Sequence, residues 1–245
     1  MYRRGIVYKP TTWNYMLTLI LMTLMVSLIA LSSLQIFTEA LMIPPQLALA
    51  ALYMSLIGSM INIPLTSVKT IDYGLIYREI EIFGIRWFLP TIGLKERRTV
   101  IAINIGGALI PILISIYILI QTIMKTSINP QISLMKIVLS ILIVSIIVNR
   151  YSRIIPGFGI VTPGFIPPIS AAITSIILAL IPPKCNPSII AYVSGIFGTL
   201  IGADLMNIGK ISEIGAPMVS IGGAGTFDGI YLTGIVATSL TLILI

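Results

Sequence analysis

The sequence predicts an all-α polytopic membrane protein of about seven transmembrane helices, interrupted by one β-hairpin. Three observations predict it. The chain is 57% hydrophobic and 9% charged, with mean hydropathy +1.06; a soluble domain carries about 25% charged residues, so these 245 residues cannot clothe a water-soluble surface. The apolar residues fall into runs near the ~20 residues that a spanning helix needs. Positive charges also alternate in density from loop to loop, as they do on the two sides of a bilayer.

The apolar runs are Tyr15–Phe37, Pro45–Ile63, Thr99–Ile123, Ile132–Val148, Ile166–Ile181, Ser188–Ile208 and Gly223–Ile245. The first lacks a small-residue cleavage site and is longer than a signal-peptide core, so it reads as a retained anchor. Twelve of the fifteen basic residues fall in the N-terminal tail and in the loops after the second, fourth and sixth runs. Only Lys125, Lys136 and Lys184 fall on the other side. The N-terminus is therefore expected in the cytoplasm and the C-terminus outside, in a plasma membrane. The +7 net charge is mostly this topology signal, and nucleic acid is not an expected partner.

An internal repeat organises the runs. Residues 43–63 (IPPQLALAALYMSLIGSMINI) and 181–208 (IPPKCNPSIIAYVSGIFGTLIGADLMNI) both begin IPP, pass through LIG and end in Asn-Ile. NIGGAL at 104–109 matches SIGGAG at 220–225. Runs one to three thus resemble runs five to seven, a parallel 3+1+3 plan. A single membrane domain over 1–245 would hold one three-helix half at 15–123, a linker helix at 132–148 and a second half at 166–245. The insert at 64–98 reads as a cytoplasmic β-hairpin turning at Gly84, with an interfacial helix or irregular loop as the alternative. Trp87, Phe88, Arg97 and Arg98 would hold it at the headgroups of the bilayer. PGFGIVTPGFIPP at 156–168 is expected to be extended or re-entrant.

Charges within spans are rare and point to function. Lys136 is expected to snorkel outward. Asp204 and Asp228 lie on consecutive antiparallel spans, each ~6–8 Å inside a helix end at 1.5 Å per residue, and at the same predicted cytoplasmic level. Asn62, Asn104 and Asn207 fall near that level and could complete a polar cluster. Gly195, Gly198 and Gly202 have the spacing of a close-packed helix face. Gly222, Gly223, Gly225 and Gly229 are candidate hinge positions where the backbone could leave helical geometry. Two adjoining carboxylates share a proton, which suits a site for a small solute or ion. It equally suits an aspartyl hydrolase dyad. The structural alternative makes Asp228 a helix cap and pairs Asp204 with Lys210. The absence of histidine excludes His-based triads and imidazole metal sites, and neither a metal nor a cofactor is expected.

Five stretches, INIPL (61–65), NIGGALIP (104–111), PGFGIVTPGFIPP (156–168), GADLMNIGK (202–210) and SIGGAGTFDGIYLTGI (220–235), resemble an archaeal and bacterial membrane family catalogued as domain-of-unknown-function family 1614. The resemblance implies a multi-pass membrane protein and assigns no site residue. A fainter resemblance, to intramembrane aspartyl proteases of the presenilin type, rests on two aspartates from consecutive helices with a Gly-x-Gly element before the second. It would make Asp204 and Asp228 catalytic. The chain departs from that pattern: two residues separate Gly225 from Asp228, Ala203 precedes Asp204, and no Pro-Ala-Leu element follows. The leading expectation is a small-solute or ion permease, with the intramembrane protease and a lipid-binding membrane scaffold as alternatives.

Overall fold

The computed structural model describes residues 33–82, 85–126, 129–155, 159–213, 216–223 and 229–245. Most of the first predicted span, the tip of the hairpin, Gly225 and Asp228 lie outside the described residues.

A π turn at Ile36–Ala40 (α1) leads to α2 (Pro45–Gly58). Two long strands follow, β1 (Asn62–Ile82) and β2 (Ile85–Asn104). β2 runs directly into α3, which comprises a π turn (Ile105–Leu109), an α segment (Ile110–Gln121) and a second π turn (Thr122–Thr126). Then come α4 (Pro130–Tyr151), the short strands β3 (Arg153–Ile155) and β4 (Gly159–Val161), and α5 (Ile166–Leu180). α6 begins as an α-helix (Pro187–Thr199), widens into a π turn (Leu200–Asp204) and tightens into a 3-10 segment (Leu205–Glu213). β5 (Met218–Ile221) and α7 (Gly229–Leu244) close the chain.

Among the described residues, three helices are long and apolar enough to cross a membrane: Ile105–Met124, Pro130–Tyr151 and Pro187–Ile211. Pro45–Gly58, Ile166–Leu180 and Gly229–Leu244 are shorter apolar helices. Proline stands at the first helical position of α2, α4 and α6, where its missing N–H is no loss. The side chain of Asn186 caps α6 by accepting from the Ser188 amide at 2.9 Å.

α4 is apolar on the outside and small or polar on the inside. Met135, Val138, Leu139, Leu142 and Ile146 are exposed. Ser133, Lys136, Ser140, Val144 and Val148 are buried at intervals of three to four residues. That is the reverse of a water-soluble helix and fits a lipid-facing surface, because helices in lipid associate through small residues and side-chain hydrogen bonds. Ser140 and Thr174 make such a bond between α4 and α5, with oxygens 3.1 Å apart. α6 packs against α3, α4, α5 and α7 and is the innermost helix. Its Tyr192 is fully buried and meets Phe37 edge-on, ring centres 5.8 Å apart.

The predicted hairpin is present and longer than expected. β1 and β2 pair antiparallel from Asn62–Asn104 to Ile82–Ile85, with a bulge between Pro64 and Thr66. Two predicted spans are corrected accordingly. The run ending at Ile63 is helical only to Gly58, and the run starting at Thr99 is strand as far as Asn104. An apolar run alone does not distinguish strand from buried helix. Residues 99–104 are strand because β1 pairs them on one side and β5 pairs Val100–Ile103 in parallel on the other. The last helix likewise starts at Gly229, not Gly223, since residues 218–223 form β5 and its following turn. Within the Pro- and Gly-rich segment 156–168, Gly159–Val161 is extended as expected and pairs antiparallel with β3, residues 156–158 lie outside the described residues, and the segment ends inside α5.

Candidate functional site

Two polar centres gather the described candidates, and both lie where a span departs from α-helical geometry. The first joins α2, both ribbon strands and β5. Asn104 is 2% exposed and uses every polar atom of its side chain. Its Oδ1 accepts from the Gly107 amide at 2.7 Å, capping the π turn of α3. Its Nδ2 donates to the Ser59 carbonyl at 2.7 Å and to Asn62 Oδ1 at 3.1 Å. Ser220 Oγ donates to that same Asn62 oxygen at 2.5 Å.

The glycine landmarks of the sequence converge here. β2 and β5 lie side by side in parallel, so NIGGAL (104–109) and the described start of SIGGAG (220–223) both leave the ends of paired strands. Gly222 has φ +74°, a conformation that favours glycine, and a Cβ there would strike Ala108 at the start of α3. The Gly223 amide turns back to the Ser220 carbonyl at 3.2 Å. Gly106 is pressed against the Ser55 carbonyl of α2, and Ser55 Oγ donates to the Gly106 carbonyl at 2.6 Å. Around Gly229, by contrast, a Cβ would meet nothing.

The second centre is the π turn of α6. The Gly202 carbonyl there accepts from two side-chain amides, Asn149 Nδ2 of α4 at 3.0 Å and Asn207 Nδ2 at 3.3 Å. Asn207 also donates to the Ala203 carbonyl at 2.9 Å. Asp204 ends the turn and is half-buried. Upstream on the same helix, the hydroxyls of Tyr192 and Thr199 are buried with no hydrogen-bond partner among the described residues. Seven residues, two helical turns, separate them, so they share a face. The π turn begins at the next residue, Leu200, and Asp204 at its end follows Thr199 by five residues on the same helix.

The glycine face of α6 divides its contacts. Gly198 and Gly202 pack on α4, where a Cβ would meet Val144 and Ser145, whereas Gly195 packs on Thr233 of α7. Gly234 of α7 receives Ile196 and Tyr192. Thus Asn62 and Asn104 come together, Asp204 ends the π turn, Asn207 reaches back to that turn from the 3-10 segment, and Asp228 lies outside the described residues. The sequence reading missed Asn149 and Ser220. Asn149 is the first polar residue after the fourth apolar run, and Ser220 begins a repeat landmark, so both carried a signal.

Lys136 differs from expectation. It is 5% exposed, and its ammonium donates to the Ile181 carbonyl at 2.5 Å and the Pro183 carbonyl at 2.8 Å. It anchors the α5–α6 connection instead of reaching outward. A cavity of about 520 Å³ opens nearby, between Thr122, Ser133, Cys185, Asn186 and Ile189.

A scan against protein families matches residues 56–240 to the family described as "Protein of unknown function (DUF1614)". The chain belongs to this family. The matched region runs from the end of α2 into α7, so both polar centres of this DUF1614 member fall inside it. No curated protein and no solved structure matches the chain.

Proposed function

We propose that the protein is a small-solute or ion permease of the plasma membrane whose path follows α6 past Tyr192, Thr199 and Asp204. The observation that carries this reading is the pair of buried, unpartnered hydroxyls in the most enclosed candidate span. Each costs roughly 1–3 kcal/mol of stability in that state, so packing does not account for them. Transient contact with water, a solute hydroxyl or an ion does. Asp204 supplies a charge at the end of the line that the basic loops predict to be cytoplasmic. The helix widens into a π turn beside it, and such departures from α-helical geometry often mark functional positions.

The test is flux into liposomes containing the purified protein, assayed with monovalent cations, protons and small polar solutes. Thr199→Val and Asp204→Asn should each lower flux at unchanged folding. Wild-type protein with no flux above empty liposomes, or variants that leave flux unaltered, would refute the proposal. The aspartyl-protease alternative asks for a dyad completed by Asp228. Cleavage of a single-span substrate that Asp204→Ala abolishes would favour it over transport.

A further inference from the structure

The β1–β2 ribbon outgrows its support. β5 covers β2 only at Val100–Ile103, and beyond Thr70 the two strands pair only with each other among the described residues. From there to Ile82 the ribbon extends about 40 Å at 3.3 Å per residue. A lone two-stranded ribbon is marginally stable in water. This one also exposes large apolar side chains on both faces, Tyr77 at 66% and Ile92 at 79% on one and Trp87 at 54% on the other. Its β1 edge has no strand beside it among the described residues, and such an edge is a template for another strand.

We infer that this edge is the contact between two copies of the chain, β1 pairing antiparallel with β1 of the second copy about a two-fold axis at Leu75. The charge pattern of β1 selects both the partner and the register. Centred on Leu75, Lys69 faces Glu81, Asp72 faces Arg78 and Tyr73 faces Tyr77, each pair occurring twice. Four of the five charged residues between 69 and 81 thereby meet an opposite charge, and none meets a like one. Shifting the centre to residue 74 leaves only Lys69 with Glu79; centres at 73, 76 or 77 leave no opposite pair. Cross-strand opposite charges stabilise a ladder, and like charges disrupt it.

The β2 edge is a poorer template, since Pro90 removes a donor from its middle and its sequence carries four like charges, Arg86, Lys95, Arg97 and Arg98, against one glutamate. Antiparallel ribbons from one bilayer must lie along its surface, with the two-fold axis along the membrane normal. That placement also sets the exposed Trp87 and Phe88 near headgroup level, where amphipathic rings are favoured.

Full-length protein in lipid nanodiscs and in detergent tests the inference. Leu75→Cys in a Cys185→Ser background should give a disulfide-linked dimer on mild oxidation, because the residue meets itself at the axis; Ile92→Cys should not. Lys69→Glu should weaken the dimer ~10-fold or more by setting Glu against Glu81 twice, and adding Glu81→Lys should restore it. The restoration separates a broken interface from a misfolded ribbon. Monomeric wild-type protein, equal cross-linking at residues 75 and 92, or a double variant no better than Lys69→Glu would overturn the inference. So would bilayer contact or a different protein protecting the β1 edge in place of a second copy.

Discussion

Asn104 Nδ2 donates to Asn62 Oδ1 across 3.1 Å, and the pair closes the base of the ribbon 42 residues apart in sequence. Because Asn104 also caps α3 and holds the Ser59 carbonyl, one side chain ties the end of α2, the ribbon and a candidate span together.

Asn104→Ala takes the side-chain partner from the Gly107 amide and the Ser59 carbonyl and leaves Asn62 Oδ1 with Ser220 alone. The expected cost is ~2–4 kcal/mol, the sum of a lost cap and unsatisfied buried groups. Thermal unfolding in detergent measures it. Asn104→Asp keeps the cap acceptor but loses both donors, so it should still fall well below wild type.

Thr199→Val removes a hydroxyl that has no partner while keeping the side chain's shape. Stability should stay level or rise by ~1 kcal/mol, in contrast to the usual cost of a buried substitution. The same variant is expected to lose flux. A fall in both would mean that the hydroxyl does structural service.

Gly202→Ala and Gly198→Ala test close packing of α6 on α4. A methyl at 198 meets the Val144 side chain at 2.5 Å, whereas one at 202 meets the Ser145 carbonyl and the Val148 Cβ. A side chain shifts more readily than backbone, so Gly202→Ala should be the worse, within the ~1–3 kcal/mol typical of overpacking. Unfolding midpoints of the two variants give the comparison.

Lys136→Ala takes the donor from two carbonyls at the end of α5. A loss of ~2–3 kcal/mol is expected, with faster proteolysis in the 181–187 connection as the local readout. Lys136→Met, which refills the volume without the donor, should recover only part of it. Full recovery would show that volume rather than hydrogen bonding is what Lys136 contributes.

Composition by itself determined the solvent, since charged residues are too few to cover a water-facing surface. Local chemistry placed α5 within a residue of its observed ends and started α2 at Pro45. It also marked Gly84 between the two β-prone runs that became the ribbon. These features depend on interactions along the chain: helix caps, proline geometry and the period of apolar side chains.

Tertiary pairing decided the rest. Residues 99–104 are as apolar as a span, and only β1 and β5 make them strand. Lys136 stays buried because its acceptors arrive 45 and 47 residues later, a distance no local pattern encodes. The spacing of Gly195, Gly198 and Gly202 announced a packed face, but the fold assigned two of these glycines to α4 and one to α7. Asn62 and Asn104 share one depth on any reading of the sequence. That they consume each other's hydrogen-bonding capacity follows from strand register, which exists only once the chain has folded.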